Sequence, residues 1–116
     1  MTGSEEAGGE DDDHETVFRT QRDGSAATVA IEGDIDIVES DQLEQLLLDL
    51  VEEGYHEIVV DLQRVAFIGS TGLGSLVAGQ NELSARGGEL RLRAPTPSVR
   101  RVLSITALDQ LFTVVD

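Results

Sequence analysis

The chain has 116 residues, 40% of them apolar, with no cysteine and a formal net charge of -15; this suffices for one domain with one core and excludes disulfides and thiolate metal sites. Acids outnumber bases by 23 to 8, a field that repels DNA, RNA and anionic lipid and favours a partner with a basic face. No apolar run nears the roughly 20 residues that span a bilayer, and the basic start and apolar stretch of a secretory leader are missing, so the expectation is a cytoplasmic protein with no membrane and no nucleic-acid partner.

Residues 1–15 carry seven acids and neither Lys nor Arg. So little apolar surface cannot offset the entropy of ordering, and the segment is expected to be a disordered acidic tail before a domain spanning 16–116. Val17 to Arg22 reads as a strand ended by Asp23-Gly24, and Ala27 to Gly33 as its hairpin partner. Asp34-Ile35-Asp36 leads into a helix with Ser40 or Asp41 as its expected N-cap. Leu43, Leu46, Leu47, Leu50 and Val51 give that helix its stripe, and Gly54 ends it. Glu57 to Leu62 has the pattern of a central strand buried on both faces.

A second helix is predicted from about Thr71 to Ala85, with Leu73, Leu76, Val77 and Leu83 inward, closed by Gly87-Gly88. Glu89 to Arg93 alternates as a strand. Pro97 opens a third helix with Val99, Val102 and Leu103 inward. Ala107 to Phe112 predicts a short helical turn, and Thr113-Val114-Val115 a last strand. The order β-β-α-β-α-β-α-β implies an α/β fold: a single mixed, largely parallel sheet with helices mainly on one face.

The stretch that carries chemistry is Ile68-Gly69-Ser70-Thr71-Gly72-Leu73-Gly74, where a buried strand turns into a helix. Unpaired N–H groups and the helix dipole favour an anion there. Ser70 is expected at the N-cap. Gly72 and Gly74 each cost a helix about 1 kcal/mol relative to Ala, and bare backbone lets another molecule approach.

Three features together resemble the STAS domain family, in particular its anti-sigma-factor antagonists: Gly33-Asp34-Ile35-Asp36 after the second strand, Val59 to Leu62 with Val65, Phe67 and Ile68, and Ser70-Thr71-Gly72-Leu73-Gly74. The resemblance covers about residues 17–116. It implies a phosphoprotein of transcription regulation and stress response that works by partner switching. Ser70 would be phosphorylated by an anti-sigma factor that is itself a serine kinase, the unmodified chain would bind that kinase and free the sigma factor, and a phosphatase would reverse the mark. Partner contact would involve Gly33, Asp34, Asp36, Gly69, Ser70, Thr71, Gly72 and Gly74.

One departure stands out: the family carries Asp before the serine, whereas here the residue is Gly69. That leaves open Thr71 as the modified residue, or a non-phosphorylated STAS scaffold or transport-associated subunit. A serine enzyme is not expected: the Gly-x-Ser-x-Gly elbow is not kept, and His14 and His56 both precede Ser70. No catalytic residue, cofactor or metal site is expected; Asp34 and Asp36 lack a phosphate-cradling motif. Asp61 reads as a capping or loop-bonding residue, His14 and His56 as solvent-facing, and Arg100 and Arg101 as a solvated face.

Overall fold

A computed structural model describes residues 15–116; the expected tail, apart from Glu15, and His14 lie outside the described residues. The elements run β1 (Val17–Asp23), β2 (Ala26–Glu32), α1 (Ile37–Glu52), β3 (Glu57–Arg64), α2 (Ser70–Ala85), β4 (Glu89–Arg93), α3 (Pro97–Ile105), a 3-10 turn (Leu108–Gln110) and β5 (Thr113–Val115). They form one five-stranded sheet in sequence order. β1 and β2 make the expected antiparallel hairpin, with Phe18 opposite Ile31, turning through Gly24 at φ +62°. The remaining pairs are parallel, with Val29 beside Val60, Val60 beside Leu92, and Leu92 beside Val114.

The alternation of each strand decides which face is covered. Val29, Ile31, Ile58, Val60, Leu62, Leu90 and Leu92 point to one side and are buried in a cluster with Leu43, Leu47 and Leu50 of α1 and Leu73, Leu76 and Leu83 of α2. Val99 and Leu103 of α3 join the same cluster. Thr96 caps α3 by accepting from Val99 N–H, with Pro97 next in the helix.

Two expectations need correction. β3 is central but buried on one face only: Glu57, Val59 and Asp61 are half-buried between the inward residues. Ion pairs lie across that open face instead, with Arg93 3.0 Å from Asp61 and Arg91 3.2 Å from both Glu57 and Glu89. α1 begins at Ile37, capped by Asp36 rather than by Ser40 or Asp41. The Glu39 carboxylate accepts from Asp36 N–H at 3.0 Å, one half of a capping box. The other half is looser: the Asp36 carboxylate faces Glu39 N–H without a close hydrogen bond. Ser40 is consequently one turn inside the helix and buried.

Candidate functional site

The C-terminal ends of the adjacent parallel strands β2 and β3 each feed a loop and then a helix. The two loops are pinned side by side by backbone bonds: Gly33 N–H donates to Arg64 O at 3.0 Å, Ile35 N–H to Phe67 O at 2.9 Å, and Gly69 N–H to Ile35 O at 2.9 Å. Ile35 and Ile68 pair as an isolated parallel bridge and both are buried. Thr16 helps hold the first loop by donating its hydroxyl to Asp34 O. Gly33 sits at φ +126°, a conformation that side chains resist. This pinning sets the first turns of α1 and α2 beside each other.

Ser70 is the first residue of α2 and is exposed. The N-cap is Gly69, which has no side chain, so α2 carries no side-chain cap. The expectation of Ser70 at the N-cap is therefore off by one position. The shift has a chemical consequence: an N-cap hydroxyl is occupied in accepting from N2 or N3, whereas the Ser70 hydroxyl makes no hydrogen bond among the described residues.

Thr71 has a different setting. Its hydroxyl oxygen lies 2.8 Å from Ser40 Oγ. Ser40 has one hydroxyl proton, engaged with Asp36 O, so Thr71 supplies the proton between them. Ser75 Oγ donates to Ser40 O at 2.7 Å, and Ser40 and Ser75 are each 2% exposed. The three hydroxyls join α1 to α2 beside Ser70, with Ser40 and Ser75 buried and Thr71 exposed but hydrogen-bonded.

The two glycines of the first turns of α2 also differ. A β-carbon on Gly72 would lie 2.8 Å from both Ile35 Cγ2 and Ile68 Cγ1. Its missing side chain serves internal packing, which corrects the reading of Gly72 as backbone open to a partner. Gly74 is exposed, with nothing within 4 Å of a β-carbon there. A β-carbon on Gly69 would lie 3.3 Å from Asp36 Oδ1 and 3.7 Å from Phe67 Cε2, so a carboxylate borders the position before Ser70 even though residue 69 has none.

Gly33, Asp34, Asp36, Gly69, Ser70 and Thr71 thus come together at one end of the sheet, with Gly72 beneath them and Gly74 farther along α2. Three neighbours stand exposed here: Ile37 and Val38, which the sequence reading did not single out, and Phe67, which it used only for the family resemblance, are 65%, 64% and 49% exposed. The Asp36-x-x-Glu39 pattern is a capping-box signal that would have moved the start of α1 to Ile37 and left Ile37 and Val38 outside its buried stripe.

Other candidates fall elsewhere. Asp61 accepts from Gln63 N–H at 3.0 Å and pairs with Arg93, holding the open face of the sheet. Arg100 pairs with Asp116 at 2.9 Å, and Arg101 is exposed. His56 is exposed at the far end of β3 from the Ser70 turn, roughly 20 Å away at about 3.3 Å per strand residue, so it cannot serve Ser70 as a base. Among the described residues no group of three His, Cys, Asp or Glu could hold a metal, and no helix is long and apolar enough to cross a membrane.

Residues 18–115 match a family model described as "Mlab, STAS domain". The chain is 30% identical over 86 residues to the anti-sigma-B factor antagonist of Staphylococcus epidermidis, covering 74% of this chain and 80% of that protein. Its fold is similar to that of an anti-sigma factor antagonist from Mycobacterium paratuberculosis, with a TM-score of 0.79, 29% identity, and coverage of 88% and 86% of the two chains. It also resembles the Bacillus cell fate determinant SpoIIAA in its phosphorylated form, with a TM-score of 0.70, 20% identity, and coverage of 86% and 92%; this last likeness bears on the fold alone.

Proposed function

Because the chain belongs to the STAS domain family, we propose that it is an anti-sigma-factor antagonist that binds a kinase-type anti-sigma factor and is switched off by phosphorylation of Ser70. The observation that carries this reading is the state of the Ser70 hydroxyl: exposed, one residue into α2 and bonded to nothing among the described residues. The relative from Staphylococcus epidermidis is named an antagonist of an anti-sigma factor, and SpoIIAA has a phosphorylated form. The role is that of a binding module rather than an enzyme, carried out in the cytoplasm with no cofactor. Partner contact centres on Gly33, Asp34, Asp36, Gly69, Ser70, Thr71 and Gly74.

Phosphorylation adds about -1.5 to -2 charge at neutral pH. The uncapped N-terminus of α2 offsets part of it, typically by about 0.3–1 kcal/mol, while the neighbouring carboxylates Asp34 and Asp36 oppose it. A phosphate inside an interface must also lose water. A penalty of about 3 kcal/mol lowers affinity more than a hundredfold, since each 1.4 kcal/mol is about tenfold. A phosphatase restores binding.

Thr71 is the weaker candidate for modification, because its proton is committed to Ser40. The alternative of a constitutive, unmodified STAS scaffold or transport-associated subunit rests on Gly69 standing where the family has Asp. The closeness of Asp36 Oδ1 to that position weakens the objection, since a carboxylate is present there from the other loop. The test is a pull-down from the source cell with wild type and Ser70→Ala, followed by incubation of each with the recovered regulator and ATP. Recovery of a kinase that phosphorylates wild type but not Ser70→Ala is expected. Recovery of partners without any transfer to Ser70 would overturn the switch and favour the scaffold.

A further inference from the structure

Ile37 and Val38 occupy the first turn of α1 and Phe67 the loop entering α2, and all three stand in water. They add nothing to the core, whose α1 stripe starts at Leu43. Phe67 and the Asp36 carboxylate border the bare position 69, where a β-carbon would lie 3.7 Å from Phe67 Cε2 and 3.3 Å from Asp36 Oδ1, and Ile37 and Val38 follow Asp36 as the first residues of α1. Large apolar side chains left exposed near one another beside polar residues mark an interaction site, and these three are held in place by a helix turn and a pinned loop.

The charge around the patch says what covers it. Arg64, where β3 enters the second loop, is the single Lys or Arg between residues 23 and 85, the stretch that builds both loops, α1 and α2. Asp34, Asp36 and Asp41 are exposed beside the apolar residues. The eight Arg residues lie on β1, at the end of β3, after α2, on β4 and on α3. We infer that Ile37, Val38 and Phe67 are the anchor of the partner interface, and that the partner presents an apolar pocket ringed by Lys or Arg. This rests on the reading of Ser70 as the switch and adds where the binding energy sits.

The division of labour follows. Desolvated apolar groups at the centre of an interface hold the complex together, whereas rim charges set encounter rate and salt dependence. Ser70 borders the anchor, so a phosphate there interrupts the apolar contact and finds no Lys or Arg on either helix to neutralise it.

The test is a titration of the purified kinase-type anti-sigma factor with full-length variants. Ile37→Ser, Val38→Ser and Phe67→Ser are each expected to weaken binding tenfold or more while leaving the thermal midpoint near wild type, because the side chains are exposed. Ser70→Asp is expected to weaken binding of the otherwise wild-type chain and to add much less in the Phe67→Ser background, since both changes remove one contact. Asp41→Asn is expected to slow association and flatten its salt dependence with the dissociation rate unchanged. Leu111→Ser, an exposed apolar residue before β5, is expected to change nothing. Wild-type affinity in all three anchor variants, with Ser70→Asp still weakened, overturns the anchor and leaves the switch standing. Undiminished binding by Ser70→Asp overturns the switch itself.

Discussion

Ser70 and Thr71 are chain neighbours with the same functional group, yet one is free and the other is tied across to α1. The cause is helix phase: the second position of α2 faces Ser40, 31 residues away, and the first faces solvent. Thr71→Val removes the proton shared with Ser40, and the expected loss is about 1 kcal/mol, the net worth of such a bond, read from urea unfolding. Ser75→Ala removes the second hydrogen bond to Ser40 O, whose carbonyl keeps its place in the helical ladder of α1, and is expected to cost about 1 kcal/mol. The position of Ser70 was legible in the sequence because a strand-to-helix turn with Ser-Thr-Gly is a local pattern. The roles of Thr71 and Gly72 were not, because their partners Ser40, Ile35 and Ile68 come from loops and a helix that only the sheet brings together.

At the scale of elements, α2 tolerates two glycines early in its course for unlike reasons. Gly72→Ala drives a methyl into Ile35 and Ile68, and overpacking of about 1–3 kcal/mol exceeds the gain of about 1 kcal/mol in helix propensity. Gly74→Ala meets open space and keeps that gain, so the two variants should move the urea midpoint in opposite directions. β4 was read from sequence with its observed ends because its alternation is strict and Gly88 precedes it. The start of α1 was misread because Ser40 and Asp41 are good cap residues by type, while the box formed by Asp36 and Glu39 uses a less conspicuous pair. The two-faced burial expected of β3 failed because Val59 is apolar yet lies on the face crossed by ion pairs.

For the whole molecule, the hairpin-then-crossover order was legible from the alternation of strand and helix patterns, and the sheet has that order. What local pattern could not give is how the edge is fastened. Glu89 of β4 accepts a hydrogen bond from Thr113 of β5, and this bond, followed by one from Arg91, holds its carboxyl below the usual range. A lowered folded-state value favours the ionised form in the fold. That stabilisation is present above the unfolded-state value and is lost as pH falls through the folded one. The stability difference between wild type and Glu89→Gln should therefore shrink on acidification in urea unfolding followed against pH, and a difference independent of pH would reject this. The backbone bonds between the loops at residues 33–36 and 64–69 carry a consequence for timing. Under the proposed switch, a platform fastened in that way has no refolding to do when a phosphate is added to Ser70 or hydrolysed from it, so silenced copies would remain an intact reserve and the delay before they act again would be set by the lifetime of one ester.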